Sequence, residues 1–289
     1  MIYTITNGNV TAKISDFGAQ LISLVGGDGY EYIWGADERY WSDHSPLLFP
    51  MCGRLLDGKY LYGGKEYKMN IHGFAKDSLF ATVENTESSL TLELTANDET
   101  KAIYPFDFVL TAKYEVTGNT LSAKYTVKNL GDVALPYMLG WHPGFNLEGD
   151  AEIEDFTIEF DTQDARLHPI VHSHFVSHDS REYPFDNCKY HVSNQEIADC
   201  DTLCFSECGN RATLASAKTP HAVTLKWSEN IPYFCIWKNT SRDARYVCLE
   251  PWSNIPDSDG ESVESFETKI MSRLESGAAE EFCYEITAE

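Results

Sequence analysis

Two short stretches of this chain hold the residue types that proton transfer needs. In Leu139-Gly140-Trp141-His142-Pro143-Gly144-Phe145-Asn146-Leu147 a histidine stands between a bulky aromatic and a proline, which keeps its ring in one place. Histidine titrates near neutrality, so a fixed one is a candidate proton donor. Two-sided proton chemistry needs a partner. The candidate is Glu250 in Cys248-Leu249-Glu250-Pro251-Trp252, a carboxylate at the end of an apolar run and again held by Pro and Trp. Strand parity along Tyr246-Val247-Cys248-Leu249-Glu250 puts Glu250 on the face of Tyr246 and Cys248, and Pro251 ends the pairing. A carboxylate fixed at a sheet rim is a candidate general base.

Arg54, at the end of Leu48-Phe49-Pro50-Met51-Cys52-Gly53-Arg54, offers a planar fork of donors to vicinal hydroxyls. His72, in Met69-Asn70-Ile71-His72-Gly73-Phe74-Ala75, is a second candidate positioning group. Taken singly, each of the four has a plain structural reading: a surface ion pair, a loop histidine, a histidine satisfied beneath a turn, a solvated strand-end carboxylate. The flanks of His142 shift the balance toward chemistry, since Trp141, Pro143 and Phe145 give rigidity and an apolar wall. Together the four read as an acid/base site for a sugar ring. His168, His172, His174 and His178 superficially resemble a metal site, but zinc ligands this close usually mix histidine with Cys or carboxylate on firm secondary structure. Cys200, Cys204 and Cys208 are spaced by three residues rather than the two of zinc knuckles and read as core thiols. No metal site is expected, and no phosphate loop, dinucleotide fingerprint or nucleophile elbow occurs.

The elements that must carry these residues are strands. Val10, Ala12 and Ile14 alternate with polar positions; Gln20 to Val25 follow and end at Gly26-Gly27-Asp28-Gly29. Leu90, Leu92 and Leu94 repeat the pattern, as do Phe106, Phe108, Leu110, Ala112, Tyr114 and Val116, which turn at Gly118-Asn119 and return through Leu121, Ala123, Tyr125 and Val127. Phe156, Ile158 and Phe160, then Val223, Leu225 and Trp227, then Phe282, Tyr284 and Ile286 complete the set. Many short alternating segments predict antiparallel sheets packed face to face. One helical period stands out, Phe266, Ile270 and Leu274 in Ser265 to Leu274. The His-rich stretch from Arg166 to His191 lacks clear periodicity and reads as a long irregular excursion rather than a domain boundary.

A chain of 289 residues can bury a sizeable core as one large all-β domain. Asp and Glu outnumber Lys and Arg by 45 to 22, a net charge of -23. Such a surface repels phosphate backbones and anionic lipid, which excludes nucleic acid and membrane as expected partners. No signal-peptide layout and no membrane-length apolar run is found, so a cytoplasmic protein is expected, its eight cysteines free and mostly buried.

In order and separation, Leu48-Phe49-Pro50 to Gly53-Arg54, Asn70-Ile71-His72-Gly73, Trp141 to Leu147 and Leu249-Glu250-Pro251-Trp252 resemble the aldose 1-epimerase family, also called galactose mutarotases, and within it the LacX-like branch. The resemblance spans almost the whole chain. It implies a single domain over residues 1–289, a large antiparallel β-sandwich of the galactose mutarotase-like type with few short helices, an open sugar cleft and no cofactor. By motif match Glu250 is similar to the family's general base and His142 to its general acid, with His72 and Arg54 as substrate-positioning residues. Asp201, before Thr202-Leu203-Cys204-Phe205, is the nearest match to an aspartate that holds sugar hydroxyls. Trp237, in Phe234-Cys235-Ile236-Trp237, would lie by the pocket, and Trp141 or Trp237 would cover an apolar sugar face. One departure is Gly144, where galactose-specific members carry a bulkier aromatic.

The activity so implied is interconversion of the α and β anomers of a free aldohexose, by a monomer or homodimer. Glu250 would take the O1 proton while His142 protonates the ring oxygen, each contributing ~10²–10⁴-fold. That expectation needs an ionised Glu250 and a charged His142 in one complex. A glycoside hydrolase would need two carboxylates and fits less well. A phosphosugar mutarotase, or a sugar-binding protein without turnover on the same fold, are the other readings.

Overall fold

Period-two alternation puts every apolar side chain of a segment on one side of a pleat, and these segments fold accordingly. The computed structural model describes residues 1–171, 175–258 and 262–289. In Phe108–Thr117, Phe108, Leu110, Ala112 and Tyr114 are fully buried while the residues between them stay partly exposed. The chain reverses at Gly118, whose φ of 59° suits a residue without Cβ, and returns as Thr120–Asn129 with Leu121, Tyr125 and Val127 buried beside that face.

Among the described residues, two nine-stranded sheets carry the fold. One runs Lys189–His191, Phe156–Phe160, Arg211–Ser216, Val223–Trp227, Ala279–Ala288, Thr120–Asn129, Phe108–Thr117, Ser89–Thr95, Ala81–Asn85. The other runs Phe175–Val176, Arg166–Val171, Thr202–Ser206, Tyr233–Trp237, Tyr246–Trp252, Gly140–Trp141, Leu47–Leu48; Gly144–Asn146 also pairs with Tyr246–Trp252, and Arg181–Glu182 with Arg166–Val171. Rings from both sheets interlock: Trp227 stacks on Phe234 at 4.8 Å, Phe160 meets Phe234 at 5.3 Å, and Trp141 meets Tyr284 at 5.5 Å. The two inner faces therefore make one apolar layer, an antiparallel β-sandwich as expected.

Two expectations from periodicity fail. Ser265 to Leu274 is not helical: it passes through turns and ends in the strand Ser272–Leu274, paired with Leu135–Tyr137. Phe266 is buried against Tyr60, whereas Ile270 is 87% exposed, so the apparent helical stripe never shared a face. The stretch from Arg166 to His191 is less irregular than it reads, because Arg166–Val171 pairs with Thr202–Ser206 inside the second sheet. Helices among the described residues are short, Asp98–Ile103 and Asn194–Cys200; the first is started by a reciprocal cap between Asn97 and Thr100. None is long and apolar enough to cross a membrane.

Candidate active site

Register brings the two proton-bearing residues together. Gly140 pairs with Trp252 and Gly144 with Cys248, so His142, midway between them, stands opposite Glu250. Tyr246–Trp252 is buried along its whole length, and its pairing with Tyr233–Trp237 runs on through Pro251 to Trp252 rather than ending at the proline. Val247 and Leu249 belong to the main core, while Tyr246 and Cys248 turn the other way, onto Trp34, Trp41 and Trp237. Glu250 shares this outer face, as its parity predicts, and lines a cavity of about 230 Å³ together with His142, His72 and Trp237.

His142 Nε2 lies 3.1 Å from Glu250 Oε2. This is ion-pair contact without hydrogen-bond alignment: among the described residues both carboxylate oxygens and His142 Nδ1 are buried with no hydrogen-bond partner. Native interiors rarely leave such groups unmatched, which makes these atoms candidates for contact with a bound ligand. Burial pushes the His142 imidazole down from 6.5 to about 3. It also pushes the Glu250 carboxyl well above its ordinary 4.5, with Cys204 adding to the rise and the Trp252 indole, itself outside hydrogen-bond geometry, opposing it. In the unliganded protein total desolvation favours the neutral form of each group, whereas the expectation of an ionised Glu250 and a charged His142 concerns the complex with sugar. Moving one proton from the carboxyl to the imidazole converts this neutral pair into an ion pair without changing the proton count.

The walls come from several elements. The Trp41 ring sits 5.0 Å from that of His142, Trp237 lies 5.7 Å away edge-on, and His72 is at 5.5 Å, also edge-on. His72 has a φ of 65°, uncommon for a side chain with Cβ. It is held there by reciprocal bonds: His72 N–H donates to Gly53 O at 2.8 Å, and Gly53 N–H donates to His72 Nδ1 at 3.0 Å. Nδ1 is thus the acceptor, and the neutral ring carries its proton on Nε2. The adjacent Gly73 is required, since a Cβ there would lie 2.2 Å from Phe49 O.

Three expected residues do not line the cavity. Trp141 is fully buried on the sandwich side, packed on Tyr125 and Tyr284, with its indole N–H donating to Ser45 O at 3.1 Å. Neighbouring residues in a strand point to opposite faces, so Trp141 and His142 cannot both face the cleft. Asp201 ends the helix Asn194–Cys200 at a φ of 54°, and its neighbour Thr202 lines the cavity instead. Arg54 is half-buried beside the lining residue Gly53, with its Nε buried and, among the described residues, unpartnered. The cavity also takes in Trp41, Asp43, Lys76 and Trp252. Trp41 and Asp43 come from a segment without periodicity; the lone signal was an aromatic pair, Tyr40-Trp41, in a polar stretch. A Cβ on Gly144 would lie 2.8 Å from Trp41 Cζ3, so the ring of Trp41 occupies the space above this glycine.

His172 and His174 of the histidine cluster lie outside the described residues, and His168 bonds Ser206 Oγ at 2.9 Å. All eight cysteines are free, with Cys52, Cys204, Cys208, Cys235 and Cys248 buried.

A large antiparallel sandwich with an imidazole and a carboxylate paired in an aromatic-walled cavity is a fold and site that can be set beside known proteins. The family model described as aldose 1-epimerase matches residues 1–260. The plasmid-encoded protein LacX of Lactococcus lactis subsp. lactis is 29% identical over 276 residues, 89% of each chain. A galactose mutarotase related enzyme from Lactobacillus acidophilus superposes with a TM-score of 0.93 at 30% identity, covering 100% of this chain and 97% of its own. A galactose mutarotase-like protein from Lactobacillus casei does so at 0.89 and 29% identity, over 100% of both chains. The chain belongs to the aldose 1-epimerase family.

Proposed function

We propose that this protein interconverts the α and β anomers of a free aldohexose, with Glu250 and His142 as the proton-transferring pair. The observation that carries the reading is the 3.1 Å approach of His142 Nε2 to Glu250 Oε2 in a cavity walled by Trp41 and Trp237. Opening a cyclic hemiacetal removes the O1 proton and adds one to the ring oxygen. Rotation about C1–C2 and reclosure on the other face then give the second anomer. The pair holds the one proton this exchange needs. Sugar hydroxyls donating to the orphaned carboxylate oxygens stabilise the ionised carboxylate and so favour the tautomer with the proton on His142. From that state Glu250 accepts the O1 proton and His142 gives its proton to the ring oxygen; reclosure reverses both transfers.

His72, with Nε2–H as a donor, positions a hydroxyl. Trp41 joins Trp237 in covering an apolar ring face, the role first assigned to Trp141 or Trp237. Arg54 and Asp201 would act from the rim. An uncharged sugar fits better than a phosphorylated one: Lys76 already has Asp77 at 3.0 Å, and Asp43 puts a carboxylate on the same wall. We also read residues 1–289 as one domain, because one buried cluster draws on residues from Ile5 to Ala288.

The test is anomeric proton NMR or polarimetry on freshly dissolved α-glucose and α-galactose, with the buffer rate subtracted. The wild type is expected to accelerate exchange, and Glu250→Gln and His142→Asn to lose ~10²–10⁴-fold each. Binding of a sugar without any acceleration would refute catalysis.

A further inference from the structure

Behind the proton pair lies a third donor that anomer exchange does not use. Cys248 is two residues from Glu250 on the same face of the strand and fully buried. One donor atom each from His142, Cys248 and Glu250 lies within 4.8 Å of the other two. The geometry points to a transition-metal site at the foot of the cavity, where His142, Cys248 and Glu250 hold one thiophilic divalent ion such as Zn²⁺ and the cavity supplies a water as fourth ligand.

Four observations support this. Imidazole, thiolate and carboxylate are the donors zinc takes, and a tetrahedral ion at its usual bond lengths sets its ligands roughly 3.3–3.6 Å apart. The His142 to Glu250 distance is already 3.1 Å, so ångström-scale side-chain movement closes the set. Glu250 is 0% exposed and His142 7% exposed, yet both carboxylate oxygens and Nδ1 are unpartnered among the described residues. A bound cation satisfies such a carboxylate. Third, charge balances: thiolate and carboxylate cancel the two charges of the ion, which suits a desolvated position that burdens each group when charged alone. Loading the site displaces to solvent the proton of the Cys248 thiol and any proton that the His142–Glu250 pair holds. Finally, the ion has an entry path through the cavity, where Asp43 adds negative charge; Lys76 on the same wall is tied to Asp77.

The consequence for activity rests on the acid/base reading proposed above: an ion bound to His142 and Glu250 takes away the nitrogen and the oxygen that move protons, so it inhibits. Binding itself does not depend on that reading.

The experiment uses Co²⁺ as a spectroscopic probe with the full-length protein under anaerobic, thiol-free conditions. One equivalent is expected to give a thiolate-to-cobalt charge-transfer band and the intense visible bands of tetrahedral cobalt, and Zn²⁺ to bleach both. Cys248→Ser and Cys248→Ala should lose the charge-transfer band; Cys283→Ser, at an exposed thiol, should keep it. Should circular dichroism show the Cys248 variants unfolded, Glu250→Gln supplies the test. It must weaken Zn²⁺ binding by at least ~100-fold, above the range that outer-shell changes produce. No band in the wild type, a band that survives in folded Cys248 variants, or unchanged Zn²⁺ affinity in Glu250→Gln overturns the site. In parallel, Zn²⁺ should depress anomer exchange and EDTA restore it. A cobalt band without inhibition upholds the site and removes the acid/base assignment. Exchange without a band removes the site and leaves that assignment standing.

Discussion

Replacing Glu250 with Gln should shift the stability difference from wild type in the variant's favour as pH rises. In the folded protein burial holds the carboxyl well above 4.5 and the imidazole down near 3, so from 4.5 up to the raised value of the carboxyl the pair carries one proton. Once unfolded, the two groups carry one proton between their ordinary values of 4.5 and 6.5 and none above 6.5. Above pH 6.5, and up to the raised value of the folded carboxyl, the folded wild type therefore binds one proton more than the unfolded chain, and its stability falls as pH rises. The slope is about 1.4 kcal/mol per pH unit for as long as the pair keeps its proton. In Glu250→Gln the remaining imidazole is neutral in both states over that range, so this contribution is flat. Every other titrating group is common to the two proteins and cancels in the difference. Burying an amide in place of a carboxyl adds an offset that pH does not change, so the slope is the readout.

Urea unfolding of both proteins at pH 7 and pH 8 measures this. The difference in unfolding free energy should widen in favour of the variant, by up to about 1.4 kcal/mol. A difference that stays constant would mean that the Glu250 carboxylate is already ionised in the fold, and would refute the shared-proton reading.

Trp41→Ala should raise KM for anomer exchange by roughly 2- to 10-fold, the value of one stacking contact, with a smaller effect on kcat; saturation kinetics by NMR would show it, and an unchanged KM would remove Trp41 from the sugar wall. Trp141→Phe should instead cost stability, roughly 2 kcal/mol for a shrunken core ring and a lost indole hydrogen bond, and leave KM unchanged. A KM effect larger than the Trp41 effect would return Trp141 to the cleft. Lys269 is 7% exposed and bonds Asp257, 2% exposed, as well as Glu264 at 2.6 Å. Lys269→Met should cost about 3–5 kcal/mol in urea unfolding by leaving the Asp257 charge buried without its cation.

Much of the architecture was legible because it depends on successive residues. Alternation in Leu90 to Leu94, Phe108 to Val116 and Phe282 to Ile286 specifies strands and names the face each side chain takes. The same rule placed Glu250 beside Cys248, and applied to Trp141 and His142 it separates them, since adjacent residues cannot face one cleft. Ser265 to Leu274 shows the limit. Three apolar residues at helical spacing looked like a stripe, but pairing of Ser272–Leu274 with Leu135–Tyr137 overrode local periodicity.

The site itself was half legible. The chain names a histidine and a glutamate, each braced by proline and an aromatic, but spacing along the chain is silent on whether they meet. Antiparallel register decides that: Gly140 on Trp252 and Gly144 on Cys248 force His142 opposite Glu250. Trp41 reaches His142 from an aperiodic segment, so no pattern announced it. Charge state is the furthest from sequence. Residue type gives the ordinary pKa values, and these suggest an ion pair, but desolvation by atoms from distant segments drives both groups toward neutrality. Alternation and residue identity are local properties that the chain carries in its order of residues; register, burial and proton affinity exist only once separate strands have been packed together.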